Sequence, residues 1–257
     1  MDSGFYSSFT GFAERMNALE VIANNLANAN TVGFKAQREF YRSFLASLGS
    51  QQQSLPASNV AQVLNQSINQ FGVLGGSSID HSQGVLESTG NDTDVALEGA
   101  GYFAVLTKNG VRYTRNGSFR LDAHRNLVTE QGDEVLSAQP NQQLKPVQIP
   151  TGKLSISPDG SISVDGALVS KLRIDDFPKD AELTQEGNNY LVASAGAVPA
   201  AASGAVRQGM LESSNSDPVV STVALIDLQR TAQIMERALS IFNNDFNRTA
   251  AQDLPRV

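Results

Sequence analysis

Residues 102–114 read YFAVLTKNGVRYT, two apolar runs separated by Lys108, Asn109 and Gly110. An Asn-Gly pair readily adopts the positive φ angles of a type I′ turn, so this stretch predicts a β-hairpin. Further turn pairs follow without a long helical pattern between them, at Asn116-Gly117, Gly132-Asp133, Asp159-Gly160 and Asp165-Gly166. The region therefore indicates a mainly antiparallel β domain, with barrel and sandwich both left open.

Both ends of the chain have a different pattern, in which apolar residues recur at spacings of four and three. The N-terminal stripe consists of Phe5, Phe9, Phe12, Met16, Leu19, Ala23 and Leu26. The C-terminal stripe follows Ser216-Asp217-Pro218, an N-cap and first-turn sequence, and consists of Leu225, Leu228, Ala232, Met235, Leu239, Phe242 and Phe246. Each stripe predicts one long helix with a heptad repeat.

The two predicted helices are comparable in length, since each stripe extends about 33 Å at 1.5 Å per residue. One interpretation is that each helix covers the central domain. The narrow stripes favour the other interpretation, in which the helices pair with each other, because a helix packed on a globular core usually has a broader apolar face. The predicted fold class is a mainly β central domain with long N- and C-terminal α-helices that pair as a coiled-coil-like assembly region.

Composition divides the chain into four predicted segments. Residues 1–42 hold the N-terminal helix, 80–212 the β domain and 213–257 the C-terminal helix. Between the first two, residues 43–79 contain no charged side chain and are rich in Gln, Ser and Asn, which is typical of an arm that is flexible or orders only on contact. Residues 194–206 also lack charge and large side chains, and they predict an exposed loop.

The overall composition excludes or disfavours several classes of protein. The 257 residues include no cysteine, which excludes disulfides and cysteine-ligated metals. A formal net charge of −7 disfavours nucleic acid as a partner. No apolar run reaches the roughly 18 residues that span a bilayer. Because Glu14, Arg15 and Glu20 stand where a secretory signal needs an apolar stretch, we expect neither membrane insertion nor a cleavable signal peptide.

Residues suited to catalysis or to metal and cofactor binding are scarce. The two histidines, His81 and His124, are too few for a triad or a histidine-based metal site. The acidic pairs lack the spacing of a calcium loop or a glycosidase dyad, so we expect them to be solvated carboxylates: Asp92 with Asp94, and Asp175 with Asp176. Gly99-Ala100-Gly101 lacks the third glycine of a dinucleotide fingerprint. We therefore predict no catalytic, metal or cofactor site.

Five asparagines lie on or just after the first predicted helix: Asn17, Asn24, Asn25, Asn28 and Asn30. Asparagine forms helices poorly, because its side chain competes for backbone hydrogen bonds. The later members, together with Gly33, suit the end of a helix. The upstream members could instead pair across a helix interface, since an amide both donates and accepts. The residues leave these two interpretations equally open.

Three segments carry a resemblance to a known family. Residues 24–35, NNLANANTVGFK, closely resemble the N-terminal signature of bacterial flagellar rod and hook proteins. Residues 94–105 (DVALEGAGYFAV) and 113–122 (YTRNGSFRLD) are similar to the family's central β segments, and 208–219 (QGMLESSNSDPV) and 228–230 (LQR) to its C-terminal entry and helix. The resemblance covers nearly the whole chain apart from the arm and the 194–206 loop.

The resemblance implies a structural subunit of the flagellar basal-body rod, without catalytic activity, that polymerises into a tubular drive shaft. Implied partners are copies of the chain, neighbouring rod proteins and the flagellar type III export apparatus, and the implied location is the periplasm-spanning rod. The length and the single β region are most similar to the proximal-rod branch of the family, with the distal-rod branch as the alternative. The expected subunit-interface residues are Phe5, Phe9, Phe12, Met16, Leu19, Asn24, Asn25, Leu26, Asn28, Leu225, Leu228, Met235, Leu239, Phe242 and Phe246.

The chain departs from the family pattern in three places. Residues 214–217 read Ser-Asn-Ser-Asp where the family usually has Ser-Asn-Val-Asn. Ala232 stands where the family often has tyrosine, so an aromatic contact is missing there. Arg125 occupies a turn position that is commonly glycine, and a left-handed backbone at this residue would cost on the order of 1 kcal/mol.

Two other classes of protein compete with the rod subunit. A secreted binding module would need a surface cluster of aromatic residues in its β domain. The aromatics here are scattered over strand positions, which favours core packing: Tyr102, Phe103, Tyr113, Phe119, Phe177 and Tyr190. A hydrolase is disfavoured further, because a nucleophile with a matching base is missing.

Overall fold

The computed structural model describes residues 2–42, 73–138, 144–178, 183–187, 189–194 and 196–253. The chain divides into two units. The first, here called the helix unit, is formed from Met1–Ala27, Gln37–Ser78 and Pro218–Val257. The second, the β unit, is formed from Asn28–Ala36 and Ile79–Asp217. The signature residues 28–36 thus belong to the β unit, although the sequence places them next to the first helix.

The described residues include two helices and eighteen short strands. The helices are α1 (Asp2–Ala27) and α2 (Pro218–Asp253). The first nine strands are β1 (Gln37–Arg42), β2 (Val73–Ile79), β3 (Leu86–Ser88), β4 (Val95–Glu98), β5 (Tyr102–Thr107), β6 (Gly110–Thr114), β7 (Arg120–Leu121), β8 (Leu127–Val128) and β9 (Glu134–Val135). The remaining strands are β10 (Leu154–Ile156), β11 (Ser161–Val164), β12 (Ala167–Lys171), β13 (Ile174–Asp176), β14 (Leu183–Glu186), β15 (Tyr190–Ala193), β16 (Ala200–Ala201), β17 (Ala205–Gln208) and β18 (Met210–Glu212).

Strand β5 is the centre of the β unit. It pairs with β6 along one edge and with both β9 and β13 along the other. The sheet has nine strands: seven follow the order β14-β15-β6-β5-β9-β8-β7, and β13 and its partner β16 branch from β5. Smaller sheets are formed by β10-β11-β12, by β4 with β17 and by β3 with β18. The pairings within the β unit are antiparallel. Residues 194–206, predicted as an exposed loop, include β16 and the start of β17.

Side chains on both faces of β5 are buried, which explains why the strand is apolar without alternation. Phe103 and Val105 point into the main core together with Leu97, Leu127 and apolar residues of β10 and β11. Tyr102 and Ala104 point the other way, into a smaller cluster with Tyr113, Leu136 and Leu191. The six aromatic residues considered for a binding surface belong to these two clusters, five of them buried and Phe177 partly buried, so they contribute to core packing.

The hairpin predicted for residues 102–114 is confirmed, but its turn differs from the expected one. Thr107 pairs with Gly110, and of the Asn109-Gly110 pair only the glycine has a positive φ, of 102°. The type I′ geometry occurs instead at Asp165 (φ 51°) and Gly166 (φ 84°), which join β11 to β12. Aspartate tolerates the left-handed region because its short side chain bonds locally, and here Asp165 Oδ1 accepts from the Lys153 amide at 3.0 Å.

The predicted coiled-coil-like pairing of the two terminal helices is wrong. The helices are neighbours in the helix unit, but the described residues show no coiled coil. In α1 the buried side chains are Ala18 and Asn25, whereas Met16 of the predicted stripe is 47% exposed. The fold class is therefore corrected to a mainly β chain with one N-terminal and one C-terminal helix.

The physical reason is a rotation of α1 about its own axis. Ala18 and Asn25 are seven residues apart and lie two positions along from Met16 and Ala23, so they occupy a different face of the helix. The small side chain of Ala18 permits close packing on that face. The larger apolar residues of the predicted stripe are left half-buried or exposed, as at Phe12 and Met16. Neither described helix is long and apolar enough to cross a membrane.

Arg125 has the left-handed backbone that its turn position suggested, with φ of 63°. Its guanidinium donates to the carbonyl oxygens of Ile149 and Pro150, each at 2.8 Å. We expect Arg125→Ala to lose both bonds and keep the strain, whereas Arg125→Gly loses the bonds but relieves the strain. The glycine variant should therefore be about 1 kcal/mol more stable than the alanine variant in denaturant unfolding. Equal stabilities would contradict a strained backbone at this residue.

Candidate functional site

The predicted interface residues of α2 lie on its inner face. Leu225, Leu228, Met235 and Leu239 are half-buried, and Ala232 is buried. On α1, Phe12, Leu19 and Leu26 are half-buried. The helical backbone is described at Phe5, Phe9, Phe242 and Phe246, but their side chains lie outside the described part of the structure. Of the arm predicted at 43–79, residues 43–72 lie outside the described residues. Its last seven residues form β2.

The asparagines near the end of α1 separate into two groups. The buried Asn25 amide donates from Nδ2 to the Gln37 carbonyl at 2.8 Å and accepts from the Gln37 amide at 2.9 Å. It thus holds the start of β1 to the helix. Asn28 follows the last helical residue, and its Oδ1 accepts from the Thr31 hydroxyl at 3.2 Å. Both asparagines therefore act within the chain, one as a clamp on β1 and the other in the turn that ends α1.

The signature residues 28–36 are joined to the β unit at several points. The Gly33 amide donates to the Glu212 carbonyl at 2.6 Å, and the Ala36 amide donates to Asn215 Oδ1 at 2.7 Å. Asn189 donates from Nδ2 to the Val32 carbonyl at 2.8 Å. Phe34 is 1% exposed. This segment is therefore an integral part of the β unit's packing.

A buried charge cluster lies at the same place. It consists of Lys35, Arg115 and Glu212, and is here called the Glu212 cluster. Lys35 Nζ is 2.6 Å from Glu212 Oε1, and an Arg115 guanidinium nitrogen is 3.1 Å from Glu212 Oε2. All three side chains are at most 4% exposed. Removing one partner of such a pair typically costs about 3–5 kcal/mol, because the other charge is left buried and uncompensated.

The remaining polar groups of the cluster bond mainly to the backbone. Lys35 Nζ donates to the Ser82 carbonyl at 2.7 Å, and Arg115 donates to the Gly99 carbonyl at 2.6 Å. The Gly84 amide donates to Glu212 Oε1 at 2.9 Å. Together with the ion pairs, these bonds connect five separate parts of the chain, at Lys35, residues 82–84, Gly99, Arg115 and Glu212. The arrangement positions segments and offers no exposed group for chemistry on a substrate.

Burial dominates the proton affinities around the cluster. It lowers the pKa of Lys35, although the Glu212 carboxylate opposes this shift. It also raises the pKa of Tyr102 to about 12. The Tyr102 hydroxyl is 2.5 Å from His81 Nδ1, and burial followed by the charge of Lys35 lowers the pKa of His81. These surroundings therefore favour the uncharged form of His81, while Lys35 is paired with the Glu212 carboxylate.

The acidic pairs are less solvated than expected. Asp94 is buried and accepts from Thr89 and Asn91 at 2.6 and 3.0 Å. Asp175 is also buried and is paired with Arg173 at 2.8 Å, yet its pKa is raised because burial outweighs the arginine. Among the residues that the structure describes, no group of three or more His, Asp or Glu side chains is placed to hold a metal ion.

The sequence did not reveal the Glu212 cluster, although every member lies in a segment that carries the family resemblance. Lys35 ends the 24–35 segment, Arg115 lies in 113–122 and Glu212 lies in 208–219. Charges separated by 80 to 177 positions form no periodic pattern, so no helix or strand signal links them. The sequence signal that could have revealed the cluster is that these three segments supply a lysine, an arginine and a glutamate, respectively.

Two family models match parts of the chain. Residues 5–35 match the family model described as flagella basal body rod protein, and residues 96–164 match the model of the flagellar hook protein FlgE/F/G D1 domain. The first match ends at Lys35 and the second includes Arg115.

The relatives that match along most of the chain are also flagellar basal-body rod proteins. The chain is 30% identical to the flagellar basal-body rod protein FlgG of Borreliella burgdorferi, over 95% of this chain and 96% of the relative. It is 30% identical to FlgF of Caulobacter vibrioides, over the whole of both chains. It is 35% identical to FlgG of Bacillus subtilis, over 89% of this chain and 90% of the relative.

Gly33 provides a test of how tightly the signature segment is docked. Its φ is 67°, and a Cβ there would lie 2.4 Å from the backbone of Arg115 and Asn116. Gly132 is the matched control, because its φ is 90° and no atom lies within 4 Å of its would-be Cβ. Both alanine variants incur the left-handed strain, and Gly33→Ala should lose about 1–3 kcal/mol more in denaturant unfolding because of the clash. Equal losses would contradict tight docking.

Proposed function

The chain belongs to the family of flagellar basal-body rod proteins, and from this premise we propose that it polymerises through its terminal helices into a tube that transmits torque. It is a structural subunit of the basal-body rod and not an enzyme. In this role the packing between subunits would carry the mechanical load, and no reactive site would be needed.

The observation that best supports the proposal is that α2 is apolar on two opposite faces. Its inner face is half-buried or buried, as described above. Its outer face carries valines and isoleucines that are each 45–71% exposed: Val219, Val223, Ile226, Ile234 and Ile241. At 100° per residue these five positions fall on one side of the helix. An apolar stripe of this length on an exposed helix is typical of a surface that binds another protein.

The N-terminal helix supports the same proposal. Met16 and Ala23 of its heptad stripe are exposed and thus available to neighbours, whereas Phe12, Leu19 and Leu26 are half-buried. We propose that the subunit interface comprises the exposed stripe of α2 together with the predicted residues of both helices. Its partners would be copies of this chain and neighbouring rod proteins. Asn25 would contribute by holding β1 against α1.

The location in the flagellar basal-body rod follows from the family. We further propose the periplasm-spanning section of the rod as the site of assembly, and the flagellar type III apparatus as the export route without a cleavable signal. In this proposal residues 1–42 and 213–257 are the assembly segments and 80–212 the β domain outside the tube, with 43–79 as the connecting arm.

Substitution of the outer stripe separates assembly from folding. Val223→Ser, Ile226→Ser and Ile234→Ser together should leave monomer melting almost unchanged, because exposed residues contribute little to stability. Rod incorporation and motility should be lost. The matched control changes exposed polar residues of the same helix, Gln229→Ser, Gln233→Ser and Glu236→Gln, and should retain motility. Normal incorporation of the apolar-stripe variant, with its secretion verified, would contradict the proposed interface.

The position along the rod is a separate proposal. Relatives named FlgF and FlgG match with similar identity, so the proximal-rod assignment stays a prediction. Basal bodies purified from a strain that lacks this protein should contain a truncated rod. A stub ending at the proximal rod would support the FlgF-like position, and a nearly complete rod would support the FlgG-like alternative.

A further inference from the structure

We propose that the Glu212 cluster is an acid-sensitive latch: protonation of His81 weakens the docking of residues 28–36 on the β unit. This inference goes beyond the role as a rod subunit and does not depend on it. It concerns a conformational property of the β unit alone, since every residue involved belongs to that unit.

The first step is that a single carboxylate holds separate segments together. Glu212 accepts from Lys35 of the signature segment, from Arg115 after β6 and from the Gly84 amide before β3. Its side chain is fully buried. Because solvent does not reach this carboxylate, a donor that leaves is not replaced by water, and loss of the Lys35 bond weakens docking of the whole segment.

The second step is that the cluster contains more positive than negative charge. Lys35 and Arg115 share one carboxylate, and their other donors bond to neutral carbonyl groups. The buried Nε of Arg115 has no hydrogen-bond partner among the residues that the structure describes. Another cation placed beside this cluster would therefore repel Lys35 and Arg115 and destabilise the cluster, because the cluster offers no second carboxylate to pair with that cation.

The third step is that His81 is the group able to supply that cation. Its Nδ1 contacts the Tyr102 hydroxyl at 2.5 Å, and the Tyr102 ring lies 5.1 Å from the Arg115 guanidinium carbon. His81 also precedes Ser82, whose carbonyl accepts from Lys35. His81 is exposed, so protons reach it from solvent. His81 is thus connected to Arg115 through the Tyr102 ring and to Lys35 through the backbone of Ser82.

The charges that face His81 fix the sign of the effect. Lys35 and Arg115 disfavour its protonated form, whereas Asp80 and Asp176 favour it, and burial adds to the disfavouring side. The net result is a pKa below the ordinary value of about 6.5. Undocking of residues 28–36 removes the charge of Lys35 from the surroundings of His81, so His81 then binds the proton more readily. Docking therefore weakens as the pH falls through about 6.5.

Hydrogen exchange of the full chain, followed by mass spectrometry, tests the latch. Exchange of residues 28–36 is compared with that of β5 at about pH 7.5 and about pH 5.5, after correction for intrinsic rates. Acid should reduce the protection of 28–36 by up to about tenfold for each unit by which the His81 pKa differs between the docked and undocked states. Protection of β5 should not change. Undiminished protection of 28–36 in acid would overturn the proposal.

Variants assign the effect to one histidine. His81→Gln and His81→Asn cannot be protonated in this range, so residues 28–36 should stay protected in acid. His124→Gln is the matched control, because His124 is the other histidine of the chain and lies in an exposed turn; it should behave like the wild type. Acid sensitivity that persists in both His81 variants would overturn the latch. So would an NMR titration of the wild-type chain in which His81 titrates at or above about pH 6.5.

Discussion

The buried pairing of Glu212 with Lys35 and Arg115 is the interaction on which the organisation of the β unit depends. Burying three charges is unfavourable unless each is paired and hydrogen-bonded, so the cluster exists only when its segments are all in place. Lys35 comes with the residues that follow α1, and Glu212 with the residues that precede α2. Because both segments contribute to the same buried ion pair, neither can dock without the other. An apolar contact of similar area would couple the docking of the two segments less strongly.

The helix unit follows a different physical rule, because its packing leaves apolar surface unburied. The inner stripe of α2 is covered, whereas the Val and Ile stripe on its opposite face is exposed. Exposed apolar surface of this extent is unfavourable in a monomer and favourable in a polymer, since association removes it from water. Incomplete burial within the helix unit would thus suit the proposed subunit, whose exposed stripe neighbouring subunits would cover.

Local patterns predicted the local structure, and long-range packing was outside their reach. The hairpin of β5 and β6 and the start of α2 at Pro218 follow from turn chemistry and capping over a few residues. The orientation of α1 does not follow from such local signals, because it depends on tertiary packing. The heptad of large side chains that includes Met16 predicted the wrong buried face of this helix. The buried state of Asp175 also depends on a tertiary environment. The Glu212 cluster required joining three distant segments, which the family resemblance marked without giving their contacts.

The first and last parts of the β unit's main segment pair with each other: β3 pairs with β18 and β4 pairs with β17. These two pairs form a neck, and the Gly33 amide bonded to the Glu212 carbonyl lies at its base. The residues between β4 and β17 begin and end at these pairs, and two of them also reach the base: Arg115 donates to Glu212 and Asn189 donates to the Val32 carbonyl. The points where the chain enters and leaves this long segment are therefore held side by side, next to the bond between Gly33 and Glu212.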